Sequence, residues 1–194
     1  MKWNQSILLL LIVVVSFGCI AKQVPQPSLP SDATPPPEIS HPMPAIYTYA
    51  VVNSYPHDQD AFTQGLVLEK GVVYEGTGLY GRSTLRRVEL KTGRILQLRE
   101  LPAHYFGEGV TVCGNKVFQL TWQSGTGFVY DKDSFELVRE FHYPYEGWGL
   151  TYDGRYLVMS DGTALLYFLD PETFNEIRRV EVYDTNGTVT QLNE

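Results

Sequence analysis

Three stretches of this chain align with one another: Phe62-Thr-Gln64-Gly65-Leu66, Phe106-Gly-Glu108-Gly109-Val110 and Tyr145-Glu-Gly-Trp148-Gly149-Leu150. Their shared glycines, Gly65, Gly109 and Gly149, lie 44 and 40 residues apart, and a turn and a second apolar run follow each glycine. A period of about 40–50 residues built from short strands is typical of a β-propeller, in which each repeat forms one blade. The sequence therefore predicts an all-β propeller.

Each repeat contains four apolar runs separated by turn residues, which predicts four short strands per blade. The predicted strands cover residues 65–68, 72–76, 85–90 and 95–101 in the first repeat, 109–112, 116–121, 127–131 and 136–143 in the second, and 149–152, 156–160, 165–170 and 176–183 in the third. The preceding run, residues 46–54, is expected to add an outer strand to the last blade and so close the ring.

The residue just before each repeat glycine occupies a position that a propeller turns toward its central channel. That residue is Gln64 in the first repeat, Glu108 in the second and Trp148 in the third. Three chemically different side chains at one repeat position indicate a functional site. Asn193 follows Trp148 by 45 residues and falls on the same position, so a fourth repeat begins at 191–194. Because a propeller has roughly four blades or more, we expect the sequence to belong to a longer chain.

Glu108 is the candidate for proton transfer. Glycines flank it, and a carboxylate held in a narrow channel would lose hydration, which raises its pKa toward neutrality. Gln64 and Asn193 are amides, which can orient a polar substrate by donating and accepting hydrogen bonds together. Trp122 and Trp148 could form an aromatic wall around a small substrate. The alternatives are a water-facing turn for Glu108, hydrogen bonds between blades for the amides, and core packing for the tryptophans.

Composition and charge exclude several other classes of protein. The 194 residues carry a net charge of −7, which is opposite to the basic surface that nucleic-acid binding requires. The histidines, His41, His57, His104 and His142, lack the spacing of metal ligands, so neither a metal nor another cofactor is predicted. A glycine-rich string at 76–81 precedes no helical pattern, which argues against dinucleotide binding.

The N-terminal region has the pattern of an export signal. Residues 7–15 form an uninterrupted apolar run, and Ser16-Phe-Gly-Cys19 follows, which resembles a lipoprotein signal with Cys19 as the lipidated residue. A plain cleaved signal and an uncleaved anchor are the alternatives, although the run is short for a membrane span. The expected organisation is a signal over 1–22, a proline-rich tether over 23–45 and the propeller over 46–194. The protein is then exported and held on a membrane surface of the cell envelope.

Eight motifs, in order along the chain, carry a resemblance to a known family. They are Tyr55-Pro-His-Asp58, Ala61-Phe-Thr-Gln-Gly-Leu66, Tyr74-Glu-Gly-Thr-Gly-Leu-Tyr-Gly81, Phe106-Gly-Glu-Gly109, Gln119-Leu-Thr-Trp122, Glu146-Gly-Trp-Gly149, Ser160-Asp-Gly162 and Leu192-Asn-Glu194. Over residues 46–194 this series resembles the plant-type and bacterial glutaminyl cyclases, also called glutamine cyclotransferases.

The resemblance implies a five-bladed β-propeller, here truncated after about three blades, that acts as a glutaminyl-peptide cyclotransferase. Such an enzyme converts the N-terminal glutamine of peptides or proteins to pyroglutamate, releases ammonia, and uses no metal or other cofactor. The family's catalytic glutamate matches Glu108, and its substrate-binding residues match Gln64, Trp122, Trp148 and Asn193. A further site residue of the family would follow the end of this sequence. The implied partners are peptides with N-terminal glutamine, and the expected state is a monomer.

Two other functions remain open at the level of sequence. A non-catalytic propeller, tethered to a surface as a binding module for peptides or envelope partners, explains the tether, the ring and the aromatic channel equally well. A propeller hydrolase or lyase acting on another substrate, such as a sugar, would usually require paired carboxylates. Only one channel carboxylate, Glu108, is evident in the sequence.

Overall fold

The computed structural model of the chain describes residues 47–194, within which Ala50–Glu194 form one structural unit. The regular secondary structure of these residues is entirely β, in three four-stranded sheets and one two-stranded hairpin. Each four-stranded sheet is an antiparallel meander, in which every strand is hydrogen-bonded to its neighbour in sequence. One such sheet per repeat is the blade arrangement of a propeller, so the all-β prediction is confirmed.

The strands agree closely with the repeat pattern. The first sheet comprises β1 (Thr63–Glu69), β2 (Val72–Thr77), β3 (Thr84–Glu89) and β4 (Arg94–Glu100). The second comprises β5 (Gly107–Cys113), β6 (Lys116–Thr121), β7 (Thr126–Asp131) and β8 (Leu137–His142). The third comprises β9 (Leu150–Tyr152), β10 (Leu157–Ser160), β11 (Leu165–Leu169) and β12 (Glu176–Glu181). Every strand predicted within the three repeats is present, with its ends shifted by no more than two residues.

The sheets meet along their first strands, because β1 contacts β5 and β5 contacts β9. The repeat glycines permit this packing. A Cβ atom placed on Gly65, Gly109 or Gly149 would lie 2.6, 2.5 or 2.7 Å from a backbone atom of the next repeat, which is closer than a side chain tolerates. The amide of Gly109 also donates a hydrogen bond of 2.8 Å to the carbonyl of Trp148. Close backbone contact between repeats therefore requires glycine here and brings the preceding residues together.

Two apolar cores lie between successive sheets. Strand β6 contributes to both of them, because side chains alternate between the two faces of a strand. Val117 belongs to the core shared with the first sheet, whereas Phe118 and Leu120 belong to the core shared with the third. All three side chains are fully buried. Burial of each contributes about 1.5–3 kcal/mol, so the sheets stabilise one another.

A buried carboxylate connects the segment before β1 to the first sheet. Glu75 accepts hydrogen bonds from Thr63 Oγ1 at 2.6 Å and from His57 Nε2 at 2.8 Å. Beside it, Arg86 donates to Asp58 at 2.8 Å. A buried carboxylate without such partners would be costly, so this network determines the path of the chain into β1. His57 and Asp58 of the motif at 55–58 therefore fasten the segment before β1 to the first sheet.

Two segments outside the three sheets complete the comparison with the sequence-based prediction. Residues 47–54 pair with no sheet within 47–194. The last blade, to which they are predicted to add an outer strand, is not among the described residues, and neither is residue 46, so this strand stays a prediction. A hairpin of β13 (Tyr183–Asp184) and β14 (Gly187–Thr188) follows the third sheet and is absent from the prediction. Among the described residues we find no helix with the length and apolarity needed to cross a membrane.

Candidate active site

A cavity of about 290 Å³ lies where the first strands of the sheets begin. Its lining consists of Phe62, Gln64, Phe106, Glu108, Trp122, Trp148 and Asn193. Every residue that the sequence nominates for catalysis or substrate binding belongs to this lining. The predicted convergence of the repeat positions is therefore observed in the structure, and the roles of the individual residues stay predictions.

Irregular strand pairing positions two of these side chains. The pairing of β1 with β2 shifts register across Gln64, and the pairing of β5 with β6 shifts register across Glu108. A β-bulge bends its strand locally and re-aims the side chain of the extra residue. The bulges therefore explain how the side chains of Gln64 and Glu108 reach the cavity wall, although the rest of each strand pairs regularly.

Glu108 is a buried carboxyl group with 5% of its surface exposed. Loss of hydration raises its pKa to about 8, and the nearby carboxylates of Glu194 and Glu146 act in the same direction. The hydrogen bond from Gln64 favours the ionised form and lowers the pKa in part. Both protonation states are consequently populated near neutral pH, as a group that takes up and returns a proton requires.

The two amides of the cavity have different partners. Nε2 of Gln64 donates a hydrogen bond to Oε1 of Glu108 over 3.0 Å, which uses one of its two N–H groups. Oδ1 of Asn193 accepts the backbone N–H of Glu194 at 3.0 Å, which leaves Nδ2 of Asn193 to donate elsewhere. Gln64 therefore holds the carboxyl group, in addition to any contact it makes with a ligand.

Aromatic rings form the remaining walls. Phe106 packs edge-to-face against Phe62, with 6.1 Å between ring centroids, and against Trp122, with 5.7 Å. The ring of Trp148 lies over Gly162, where an added Cβ would be 2.7 Å from the indole. The sequence prediction missed Phe62 and Phe106 as lining residues. The repeat register contained the signal, because each lies two residues before a channel position.

Glu146 contacts both tryptophans of the wall without lining the cavity itself. Its Oε2 accepts the indole N–H of Trp122 at 2.7 Å and that of Trp148 at 3.0 Å, and its Oε1 accepts Nε2–H of Gln123 at 3.0 Å. These hydrogen bonds, with that from Trp148 the largest effect, lower the pKa of Glu146 and keep it ionised at neutral pH. The sequence prediction missed this residue, which stands where the first two repeats have phenylalanine.

Glu194 is a second buried carboxyl group near Glu108, which the sequence prediction missed. Its Oε1 accepts the backbone N–H groups of Val110 at 3.2 Å and Leu150 at 3.3 Å, and burial raises its pKa to about 7. It borders a neighbouring cavity of about 420 Å³ and does not line the cavity that holds Glu108.

A family model described as glutamine cyclotransferase matches residues 26–194. The chain belongs to the glutamine cyclotransferase family. The resemblance carried by the sequence motifs is thereby confirmed. A glutaminyl-peptide cyclotransferase of Arabidopsis thaliana is 42% identical over 159 residues, which are 81% of this chain and 49% of that protein. The chain thus spans about half the length of this curated relative.

Two solved structures are similar to this chain. The glutaminyl cyclase of Myxococcus xanthus matches with 34% identity and a TM-score of 0.66, over 73% of this chain and 60% of that one. The WD40 repeats of RRP9 match with 9% identity and a TM-score of 0.51, over 65% of this chain and 40% of that one. At such low identity the second match concerns the fold alone. WD40 repeats form propeller blades, so it supports the propeller-type arrangement of the three sheets.

In this member of the glutamine cyclotransferase family, the chemistry at the cavity is that of carboxyl, amide and indole groups. Among residues 47–194, no group of three or more His, Cys, Asp or Glu side chains is arranged to hold a metal ion. The predicted lipidation site, Cys19, lies outside the described residues.

Proposed function

We propose that this protein is a glutaminyl-peptide cyclotransferase, which converts the N-terminal glutamine of peptides to pyroglutamate and releases ammonia. The observation that carries the proposal is Glu108, a buried carboxyl group with a pKa of about 8 that is hydrogen-bonded to Gln64 in the wall of an aromatic cavity. A cavity of about 290 Å³ suits one side chain and its backbone rather than a long segment. The family and the names of the similar proteins support the same reaction.

The proposed reaction moves one proton twice. The α-amino nitrogen of the substrate attacks the carbonyl carbon of its own γ-carboxamide, so that a new C–N bond closes the lactam ring. The bond between that carbon and the original amide nitrogen then breaks, and ammonia leaves. Ionised Glu108 accepts the proton that the attacking amine loses, and protonated Glu108 delivers it to the leaving nitrogen. Atoms and charge balance without a second substrate, and the mechanism requires no metal ion.

The other lining residues hold the substrate. The second N–H group of Gln64 and Nδ2 of Asn193 are donors that can bind the carbonyl oxygen as it gains negative charge in the transition state. Trp122 and Trp148 confine the glutamine side chain in the conformer that brings its amine to its carbonyl carbon. Proximity of this kind lowers the barrier of an intramolecular reaction.

The proposal extends to location and partners. The apolar run at 7–15 and the following Cys19 support export and lipid anchoring to a membrane of the cell envelope. The partners are then peptides or proteins that expose N-terminal glutamine on the same side of that membrane, and the protein acts on them as a monomer. Labelling of producing cells with a tagged fatty acid, beside Cys19→Ser, tests the anchor. Labelling that survives the substitution contradicts it.

Ammonia release from a Gln-initiated dipeptide by the full-length protein tests the activity, with the N-acetylated dipeptide as the control. Acetylation removes the nucleophilic amine and leaves the γ-carboxamide intact. We expect ammonia and a pyroglutamyl product from the free peptide only. Release from both peptides would indicate an amidase. Release from neither, combined with binding of the free peptide, would favour the tethered binding module.

A further inference from the structure

Glu146 is an ionised carboxylate that takes no part in the proposed proton transfer. It does not line the cavity, and the hydrogen bonds that its carboxylate accepts come from side chains. One oxygen, Oε2, accepts both indole N–H groups, from Trp122 at 2.7 Å and from Trp148 at 3.0 Å. A single carboxylate oxygen therefore contacts two residues of the cavity wall.

The repeats show that this arrangement is specific to the third blade. Phe62 and Phe106 occupy the same repeat position and line the cavity with their own rings. Packing alone would be satisfied by another apolar ring there, whereas a carboxylate at this position needs hydrogen-bond donors. Trp122 reaches Glu146 from 24 residues away, so the contact joins the second repeat to the third.

The hydrogen bonds to Glu146 restrict the orientation of both indole rings. An indole has one N–H group, which lies in the plane of the ring, so a hydrogen bond to a fixed acceptor determines how the ring is rotated about its side-chain torsions. Hydrogen bonds to a charged acceptor are stronger than those between neutral groups. The other sides of the rings are also held, because Trp148 lies over Gly162 and Trp122 packs edge-to-face against Phe106.

We propose that Glu146 is a positioning residue that sets the relative orientation of Trp122 and Trp148 and thereby the shape of the cavity in which the substrate folds. The effect on the orientation of the rings depends only on the two indole hydrogen bonds to Oε2 of Glu146. The effect on the rate rests on the proposed cyclotransferase function. Because the substrate's own amine and carbonyl must meet, a misplaced wall lowers the population of the reactive conformer and acts on kcat more than on KM.

Kinetics of Glu146→Ala and Glu146→Gln in the full-length protein test the catalytic consequence. The alanine variant loses the acceptor, whereas the glutamine variant keeps one oxygen that can accept an indole N–H. We expect kcat to fall about 10- to 100-fold in Glu146→Ala and to recover in part in Glu146→Gln. Glu140→Ala, at an exposed position on β8, is the matched control and keeps the wild-type rate. Equal rates in wild type and Glu146→Ala would overturn the proposal.

The indole N–H resonances report ring positioning without any reaction. In 15N-labelled protein, the signals of Trp122 and Trp148 are assigned by Trp122→Phe and Trp148→Phe. We expect both signals downfield and slowly exchanging in the wild type, and both shifted upfield and exchanging faster in Glu146→Ala. If Glu146→Ala does not fold, a reduced downfield shift of both signals in Glu146→Gln supports the proposal, and wild-type shifts contradict it.

The two readouts separate this inference from the proposed function. Indole signals that respond to Glu146→Ala in a protein inactive on Gln-initiated peptides would contradict the cyclotransferase function and leave the positioning of the rings supported. An active protein whose indole signals ignore the substitution would contradict the positioning role and leave the cyclotransferase function supported.

Discussion

Gln64 donates a hydrogen bond of 3.0 Å from Nε2 to Oε1 of Glu108, and the two residues occupy the same position in consecutive repeats. Each lies at a shift in strand register, just before a glycine that packs against the next repeat. The repeated architecture therefore places chemically different residues in contact at one wall of the cavity.

The raised pKa of Glu108 determines how it affects stability. This carboxyl group titrates near 4.5 without its folded environment and at about 8 in the folded protein. Between these values the folded state retains a proton that the unfolded state has lost, so stability falls as pH rises through this range. The favourable contribution is fully present below the unfolded pKa and lost above the folded one. Glu108→Gln removes this dependence and should be more stable than wild type at alkaline pH.

Thermal or urea unfolding of both proteins at about pH 5, 7 and 9 measures this effect. We expect the advantage of Glu108→Gln to grow with pH and to reach about 2–4 kcal/mol at the highest value. Glu194 has a raised pKa too, but it is present in both proteins and its contribution cancels. Glu140→Gln, an exposed control, should show no such trend. An advantage that is the same at every pH would contradict the assigned pKa.

Removal of the Gln64 amide should change the proton affinity of Glu108. Its hydrogen bond stabilises the ionised carboxylate, so Gln64→Ala is expected to raise the pKa of Glu108 above about 8. The ascending limb of the pH–rate profile for kcat/KM should move to higher pH, with about a 10-fold loss of rate at neutral pH. Gln59→Ala, at an exposed position before β1, serves as the control. A lower rate with an unmoved profile would show that Gln64 acts on the substrate alone.

Gly109 should tolerate no side chain. An added Cβ would lie 2.5 Å from the carbonyl oxygen of Trp148 and 2.6 Å from the amide nitrogen of Leu150. Gly109→Ala is therefore expected to cost about 1–3 kcal/mol of unfolding free energy and to lower activity, because the backbone next to Glu108 must shift. Gly114→Ala has open space around the new Cβ and a φ of 62°, so it should cost about 1–2 kcal/mol and leave kcat unchanged. Denaturant unfolding together with steady-state kinetics makes the comparison. Equal activity in the two variants would contradict a packing role for Gly109 at the site.

Much of the fold could be predicted from the sequence because its determinants are local. Alternating apolar residues and turn signals marked the strands, and β6 shows why: Val117 and Phe118 are neighbours in sequence and enter different cores. The positions of the site residues could be predicted because the repeat glycines mark where the first strands of successive sheets pack closely. Asn193 was found in this way, and it lines the same cavity as Glu108 although no strand forms around it.

The missed features depend on contacts that no local pattern records. The role of Glu146 requires the indole of Trp122 to reach across from another repeat. Glu194 is held near Glu108 by hydrogen bonds from backbone amides of β5 and β9. Backbone donors carry no sequence signal, because every residue except proline has one.

Proton transfer by Glu108 is tested by measuring ammonia release from a Gln-initiated dipeptide, at several pH values around 8. The full-length protein is compared with its Glu108→Gln variant. We expect wild-type kcat/KM to rise with pH through the pKa of Glu108. Glu108→Gln is expected to lose roughly 100-fold or more in rate while still binding the peptide. Glu140→Gln should match the wild type. A Glu108→Gln protein that releases ammonia at the wild-type rate would contradict the central claim, because no carboxyl group would then remain at that position to carry the proton.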